Sequence, residues 1–451
     1  MLRASAASLL QRVTRHPVIR AAAGFAASTT LVKAVAFLKE AVVAAAFGVG
    51  SSMDSYLMAL VVVGLPSGML VNAAQTVFIR EYVRIAEVNG ETAASRFLRA
   101  AMLGLLAALS ALLVVWIVAL PAILSVVGHG LGPAQRALVS ANVHGLIPYY
   151  YLSGINLLGY GVLQSRKAFL RAALIPIATP VLTILLVAPL GADLRILISA
   201  LTLGTGVETA LIFVLIAKAQ RRSAGPEPEA THRLRELAWG TLFLVPGTLI
   251  SGLLPVIEQT IASGLGHGTI SALGYAAKLP ATLNSLLTTA VAVTILPYFS
   301  QQLSRGHDES CRRFFIRYAG ILMLVGTAIA AAAVLGSEPF VRVAFQRGEF
   351  SAQDALVVTA LQRAYLWQLP GALVGILAIR FVVAQGRYKA FMLGSMLVVP
   401  VTALLQWALS VAWGAAGLAF GYSAGAAVTA IVFFWLALRR RPKPVRSWET
   451  T

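Results

Sequence analysis

The sequence has little charge and almost no cysteine. Only 12% of its 451 residues are charged, about half the ~25% found in soluble domains. Its one cysteine, Cys311, has no partner for an intrachain disulfide or a cysteine metal cluster. No zinc-protease HExxH or Walker phosphate-binding sequence occurs in the chain. These absences argue against a soluble enzyme, so we predict no catalytic residues, no cofactor and no metal site.

Hydrophobic residues are abundant instead, at 58% of the chain, with a mean hydropathy of +0.81. Apolar runs of about 20 residues, the length that crosses a ~30 Å hydrocarbon layer, recur along the sequence. They predict an all-α polytopic membrane protein with twelve transmembrane helices in two parallel six-helix repeats. The predicted spans are 21–48, 52–79, 97–127, 138–163, 168–190, 194–217, 238–264, 268–299, 315–336, 354–379, 390–411 and 413–438.

The positive charges follow the pattern of a membrane protein rather than that of a nucleic-acid-binding protein. Most of the 36 Lys and Arg residues lie in the N-terminal arm, in alternate predicted loops and in the C-terminal tail. The opposite loops carry only Arg136, Arg195, Arg342 and Arg347. Because basic residues collect on the cytoplasmic side, both termini are predicted to be cytoplasmic.

The predicted domain organisation has two lobes. A basic arm (1–20) precedes an N-terminal six-helix lobe (21–218), and a Pro-containing polar linker (219–237) leads to a C-terminal six-helix lobe (238–438) and a basic tail (439–451). The arm is interpreted as cytoplasmic, with a cleaved targeting sequence as the alternative.

The two lobes resemble each other in sequence. FGVGS at 47–51 aligns with LGHGT at 265–269, and Glu40 aligns with Glu258 at the same offset of 218 residues. Six spans per lobe preserve orientation, so the repeats are expected to be parallel with a cavity between them, as in transporters.

Lysines within predicted spans are the main candidates for function. Lys33, Lys39 and Lys278 lie at mid-depth, where a charge costs ~2.5–3.5 kcal/mol on insertion scales, so they are expected to face a cavity or a partner. One hypothesis is that they converge on an anion. The alternative is that Lys33 or Lys39 pairs with Glu40, seven residues from Lys33 on the same helix face, or snorkels to an interface.

Two further features of the spans have alternative interpretations. Glu258 lies among polar neighbours and is a candidate Na⁺ or H⁺ site, with Gln406 as a further oxygen ligand; equally, the carboxylate is neutralised by a nearby helix. Glycines at every fourth position, at 417, 421 and 425 and at 371 and 375, predict close helix packing.

Four blocks of the sequence resemble the MurJ/MviN family of lipid II flippases. They are LVKAVAFLKEAVVAAAFGVGSSMDSYLMAL (31–60), IASGLGHGTISALGYAAKLP (261–280), TILPYFS (294–300) and AFQRGEFSAQDA (344–355). The resemblance covers roughly residues 25–438. It implies the MOP-type transporter fold and transfer of an undecaprenyl-pyrophosphate-linked saccharide across the bacterial inner membrane.

The resemblance also implies roles for individual residues. Lys33, Lys39 and Lys278 occupy positions of family arginines, and Glu40 and Asp54 occupy positions of family aspartates, so these five are the predicted substrate-binding residues. Glu258 and Gln406 match part of the family's sodium site.

The sequence departs from the family pattern at several positions. A second-span arginine of the family is replaced by about Gly68, and lysine lacks the planar guanidinium that grips a phosphate with two hydrogen bonds. The chain also has twelve predicted spans, whereas many family members have fourteen. These departures leave the transport class intact and bear on which saccharide is carried.

Three functions follow as hypotheses. The first is a flippase for lipid II or a related glycan precursor, including an exopolysaccharide repeat unit, working by alternating access and driven by Na⁺, H⁺ or the membrane potential. The second is a small-molecule or drug antiporter of the same superfamily. The third is a scaffold for cell-wall or polysaccharide synthesis enzymes. The expected partners are the lipid-linked substrate and membrane lipid, and no nucleic acid.

Overall fold

The computed structural model describes residues 17–166, 169–219, 230–305 and 307–439, and no β-strand occurs within these ranges. A short 3₁₀ helix, Ile175–Ile177, lies between α5 and α6. The α-helices are α1 Pro17–Phe47, α2 Ser51–Val127, α3 Pro133–Gly145, α4 Ile147–Ser165, α5 Phe169–Leu174, α6 Ala178–Leu190, α7 Leu194–Ala219, α8 Ala230–Ser263, α9 Thr269–Ala276, α10 Lys278–Ser304, α11 Asp308–Leu335, α12 Ser337–Phe345, α13 Ala352–Leu366, α14 Gln368–Ala384 and α15 Tyr388–Leu438.

Seven helical stretches of the described residues are long and apolar enough to cross a membrane. Two of them each contain two predicted spans. The helix α2 is interrupted at Gly90, whose φ of 84° is left-handed, and α15 is interrupted at Trp413 and Gly414. The seven stretches are Ser51–Val127, Ala172–Leu190, Leu194–Ala217, Arg233–Ser263, Asp308–Leu335, Ala352–Ala384 and Tyr388–Leu438.

Two other predicted spans are each divided between two shorter helices. Span 138–163 is divided between α3 and α4 at Leu146, close to Pro148, and span 268–299 is divided between α9 and α10 at Ala277. Proline lacks the amide hydrogen that would continue the helical ladder, which accounts for the first division. The all-helical class is confirmed, and the count of twelve spans stays a prediction.

The described chain forms two compact units. The first contains the described residues up to Ser271 together with Arg347–Ser351, and the second contains Ala272–Gln346 and the described residues from Ala352. Helix α8, assigned from sequence to the C-terminal lobe, therefore belongs to the first unit, where it packs along α2. The boundaries of the repeats themselves stay a prediction.

In the first unit, α2 packs against α3, α4 and α8, while α6 packs against α1 and α7. Two arginines join neighbouring elements to α2. The guanidinium of Arg166, just after α4, contacts the Glu91 carboxylate and donates to the Tyr82 hydroxyl at 2.7 Å. At the start of α8, Arg233 Nη1 lies 3.3 Å from Glu81 Oε2. Charged side chains thus join three helices at one end of this unit.

In the second unit, α14 lies against α10, α11 and α15. Aromatic side chains fill the space among these helices, because Phe299, Phe315, Phe381 and Phe433 are all fully buried. The ring centroid of Phe381 lies 4.7 Å from that of Phe299 and 4.8 Å from that of Phe315. Cys311 is buried in the same cluster, which is the packing role expected of an unpaired thiol.

The repeated glycines of α15 lie where its two segments touch. A Cβ atom placed on Gly421 would lie 2.5 Å from the Cα atom of Gln406, and Cβ atoms on Gly417 and Gly425 would overlap Leu409 and Thr402. The packing role predicted from the four-residue spacing is therefore confirmed for α15.

We expect Gly421→Ala to lower the thermal unfolding temperature of the purified protein. The added methyl group forces backbones apart, and such overpacking costs roughly 1–3 kcal/mol. The matched control is Gly320→Ala in α11, where a Cβ atom meets nothing within 4 Å. Alanine favours a helix over glycine by ~1 kcal/mol, so the control should be neutral or stabilising. Equal thermal unfolding temperatures for the two variants would contradict the assignment of a tight contact at Gly421.

Candidate functional site

The first-helix charges predicted to bind substrate lie on α1. Lys39 Nζ is 2.6 Å from Glu40 Oε1, with side-chain exposures of 24% and 14%. The buried Tyr56 of α2 also interacts electrostatically with Glu40. Lys33 is half-buried on the same helix. The ion pair considered as an alternative for Lys39 is therefore present, and the roles of these residues in binding stay predictions.

Asp54 lies in the first turn of α2, and its predicted role in substrate binding stays a prediction. It is 1% exposed, and its two carboxylate oxygens accept hydrogen bonds from the backbone N–H groups of Gly268 at 2.6 Å and Ser271 at 2.7 Å. These amides belong to the first turn of α9, whose free N–H groups and positive dipole end favour an anion. Asp54 thus caps α9 from more than 200 positions away in sequence.

Neighbouring groups complete the contact between the start of α2 and the start of α9. The backbone N–H of Gly50 donates to Ser271 Oγ at 3.2 Å, and Ser51 Oγ lies 3.3 Å from His267 Nδ1. The same glycine-rich segments, FGVGS and LGHGT, were the best-aligned part of the internal repeat. Their function in this unit is to bring two helix starts together.

A second loop reaches the same α1–α2 turn. The backbone N–H of Glu349 donates to the carbonyl of Ala45 at 2.9 Å. Gly48 and Gly348 both have a φ of 59° and lie against this crossing, where a side chain would be strained and would overlap the opposite backbone. This contact explains why Arg347–Ser351 belong to the first unit.

The candidate ion-coupling residue Glu258 lies half-buried on α8 in the first unit. Its neighbour Gln259 donates from Nε2 to the carbonyl of Leu57 in α2 at 3.3 Å, while the buried Gln259 Oε1 has no hydrogen-bond partner among the described residues. A buried amide oxygen without a donor is costly and suits a cation or a water.

The other two predicted site residues belong to the second unit. Lys278 is the first residue of α10 and is half-buried. Gln406 is fully buried in α15 against the glycine contact described above. The site roles of Lys278, Glu258 and Gln406 stay predictions.

Sequence reasoning missed Glu208, the one buried carboxylate in α7. Its carboxylate accepts hydrogen bonds from Thr179 and Tyr160, and the residue is 8% exposed. The available signal was an acidic residue isolated in an apolar run, GVETALIFV at 206–214.

One sequence match to a catalytic pattern has no catalytic geometry. GYSAG at 421–425 fits the GxSxG pattern of serine hydrolases, in which the serine occupies a sharp strand-to-helix turn. Here it lies inside α15, and Ser423 Oγ donates to the carbonyl oxygens of Ala364 and Tyr365 at 2.7 and 3.2 Å. The pattern serves helix packing.

Comparison with known proteins identifies relatives over most of the chain. A family model described as lipid II flippase MurJ matches residues 43–450. A probable lipid II flippase MurJ of Rhizobium meliloti is 24% identical over 351 residues, covering 74% of this chain and 64% of that protein. The lipid II flippase MurJ of Burkholderia cenocepacia is 27% identical over 439 residues, covering 92% and 82%. The chain thus spans less than two thirds of the length of the Rhizobium relative.

Solved structures of a flippase and of a multidrug transporter have a similar fold. Lipid II flippase MurJ in an inward closed conformation gives a TM-score of 0.74 at 18% identity, covering 91% of this chain and 87% of that chain. An inward-facing multidrug resistance MATE family transporter of the MOP superfamily gives 0.67 at 13% identity, covering 91% and 97%. The predicted MOP-type fold is confirmed.

We expect Asp54→Ala to speed hydrogen–deuterium exchange of the peptide that contains Gly268 and Ser271. The substitution removes the acceptor of both amide hydrogen bonds, and bonds to a charged group contribute ~1.5–3 kcal/mol. Asp54→Asn keeps one carbonyl oxygen and should have an intermediate effect. Ser55→Ala, which removes a hydrogen bond to the Ser51 carbonyl within α2 and keeps both amide bonds to Asp54, is the control. Unchanged exchange in Asp54→Ala would contradict the capping role.

Proposed function

Because the chain belongs to the MurJ lipid II flippase family, we propose that it moves an undecaprenyl-pyrophosphate-linked saccharide across the bacterial inner membrane. The observation that carries the proposal is the match of the family model over residues 43–450. The all-helical architecture, with long apolar helices, supports a multi-pass membrane location. A flippase changes the side of its substrate and needs no bond-making residues.

The pyrophosphate head group is the part of the substrate that the protein must carry through apolar surroundings. Lys33, Lys39 and Lys278 supply the positive charge for it in this proposal, with Glu40 orienting Lys39 through the 2.6 Å contact. Ammonium groups hold a phosphate as point charges, without the two-bond geometry of arginine. Binding is therefore expected to tolerate variation in the attached saccharide.

The transport cycle follows from the chemistry of the two ends of the substrate. The polar head enters from the cytoplasmic side and is exposed to the other side after a conformational change, while the polyprenyl tail stays in lipid. Both termini of the chain are cytoplasmic in this proposal, as the distribution of basic residues indicates.

Coupling to an ion gradient is assigned to Glu258. The half-buried carboxylate and the adjacent Gln259 Oε1, which is buried without a hydrogen-bond donor among the described residues, supply oxygens that suit Na⁺ or H⁺. Gln406 supplies a further amide in this proposal. The membrane potential is worth ~2.3 kcal/mol per charge per 100 mV. Whether it assists or opposes the transport step depends on the net charge of the lysines together with the bound substrate.

A second candidate substrate is another polyprenyl-linked glycan, such as an exopolysaccharide repeat unit. Gly68 stands where the family has an arginine, and lysines stand at the matched arginine positions, so the contacts differ from those of typical lipid II carriers. The MATE transporter has a similar fold, which makes a drug antiporter the third candidate. An exporter of organic cations would need acidic groups where this chain has lysines.

We expect the triple variant Lys33→Gln, Lys39→Gln and Lys278→Gln to abolish flipping of a pyrophosphate-linked lipid in proteoliposomes. Glutamine keeps a polar side chain, one bond shorter than lysine, while it removes the charge that attracts the head group. Replacement of the same three residues by arginine keeps the charge and should retain most activity. The matched control is Lys389→Gln, an exposed lysine in a predicted cytoplasmic loop.

Transport by the triple glutamine variant at the wild-type rate would overturn the assignment of these lysines. Binding of organic cations together with no binding of pyrophosphate lipid would favour the antiporter. Mass spectrometry of the lipid-linked intermediate that accumulates when cells are depleted of the protein identifies the saccharide; an unchanged lipid pool would favour the scaffold role.

A further inference from the structure

Glu208 lies near the middle of α7, inside the first unit, and is not among the residues assigned above to substrate and ion. It is 14 residues after Leu194, the start of α7, or ~21 Å at ~1.5 Å per residue. The stretch Leu194–Ala217 is apolar enough to cross a membrane, so the carboxyl group is located near mid-membrane. Only 8% of the residue is exposed.

All hydrogen-bond partners of Glu208 are neutral. Thr179, at the start of α6, donates to Oε1 from its hydroxyl at 2.5 Å and from its backbone N–H at 3.3 Å. From α4, the Tyr160 hydroxyl donates to Oε2 at 3.3 Å. Both carboxyl oxygens are thus held by donors from two other helices, so the group has a defined position within the protein.

No Lys, Arg or His among the described residues forms an ion pair with Glu208. The elements packed against α7 account for this. Helix α6 and the 3₁₀ helix contain no titratable side chain. Helix α3 contains Arg136 and His144, which are bonded to backbone carbonyls of their own segment. Within the described part of the chain, a carboxylate at this position therefore has no countercharge.

Tyrosines of α4 are the only titratable groups of that helix. Tyr160 donates to Glu208, and Tyr149 interacts with it electrostatically. Tyr150 donates to the Leu109 carbonyl, and the hydroxyl of Tyr151 bonds with Ser110, so both are directed to α2. On α7 itself, Arg195 lies 13 positions from Glu208 and Lys218 lies 10 positions away. Both are several helical turns from the carboxyl group.

A second polar contact joins α4 and α7 beside Glu208. Asn156 of α4 is 4% exposed; its Nδ2 donates to the Thr205 carbonyl at 3.3 Å, and its Oδ1 accepts from Thr209 Oγ1 at 2.7 Å. This amide fastens α4 to α7 without charge. The hydrogen bonds of Asn156 join α4 to α7 independently of Glu208.

Two opposing effects act on the Glu208 carboxyl group. Removal from water without a countercharge favours the neutral acid, while three hydrogen-bond donors favour the carboxylate. The 2.5 Å distance to Thr179 Oγ1 accommodates one hydrogen atom between the two oxygens. The hydrogen atom belongs to the threonine hydroxyl when Glu208 is a carboxylate; when Glu208 is the neutral acid, the carboxyl group donates instead and the hydroxyl hydrogen turns away. The geometry thus suits a proton.

We propose that Glu208 is a proton-binding site of the first unit. Uptake of one H⁺ from water forms an O–H bond on a carboxyl oxygen, which then donates to a neighbouring oxygen, and release restores the carboxylate held by Thr179 and Tyr160. The site depends on neither the identity of the saccharide nor the lysines of the proposed function. Glu208 on α7 and Glu258 on α8 are then two separate titratable carboxyl groups of the first unit.

Infrared difference spectroscopy of the purified full-length protein in liposomes, without any lipid-linked substrate, tests the proposal. On acidification, the wild-type protein should show the carbonyl band of a buried carboxylic acid, and Glu208→Gln should lose it. Glutamine has nearly the same shape; its amide oxygen can accept from Thr179 while its NH₂ group donates to the Tyr160 hydroxyl oxygen, so the thermal unfolding temperature should change little. Glu87→Gln, at an exposed position of α2, is the matched control and should leave the band unchanged.

Two further variants keep the proposal falsifiable if Glu208→Gln does not fold. Glu208→Asp keeps an acid and should retain a band at a shifted frequency, and Thr179→Val should shift the band because it removes the 2.5 Å hydrogen bond. A wild-type protein without a buried-acid band over the whole pH range of the folded state would overturn the proposal. A band that is insensitive to all three substitutions at the site would also overturn it.

Discussion

The low polarity of the membrane interior controls where each ionisable side chain of this protein lies, because a charge removed from water needs a partner. Three kinds of partner stabilise buried ionisable groups within the first unit. Lys39 and Glu40 form an ion pair at 2.6 Å. Asp54 receives two backbone N–H groups at the start of α9, and Glu208 receives two hydroxyls and one amide. In such a protein, functional sites are expected where the partners of a buried charge neutralise it only partly or can be exchanged.

Sequence patterns predicted the features that depend on local spacing. Apolar runs predict the long helices, and four-residue glycine spacing predicts the backbone contact between the two segments of α15, because both follow from helix geometry. The cap on α9 could not be predicted in this way. Asp54 and Ser271 are 217 positions apart, so only the folded chain shows that the carboxylate is occupied by amides. Family position alone had assigned Asp54 to the substrate.

Glu208 was overlooked for a related reason. The sequence patterns single out the basic residues within spans and the acids that align between the repeats. Glu208 is in neither group. Its partners, Tyr160 and Thr179, come from separate helices, so the sequence around it contains no motif. The divided span at Leu146 was likewise hidden, since the hydropathy of 138–163 is continuous although the backbone turns there.

Contact of bare backbones in the second unit limits how that unit deforms. A Cβ atom on Gly326 would lie 2.8 Å from Pro370, and one on Gly371 would lie 2.7 Å from Ala426, so α11, α14 and α15 meet with no side chain between them. Sliding of one helix past another would bring main-chain atoms into collision, because no flexible side chain is available to yield. These three helices are therefore expected to move together as one rigid unit. Rearrangement within the unit is confined to its joints, such as the Gly336 junction between α11 and α12.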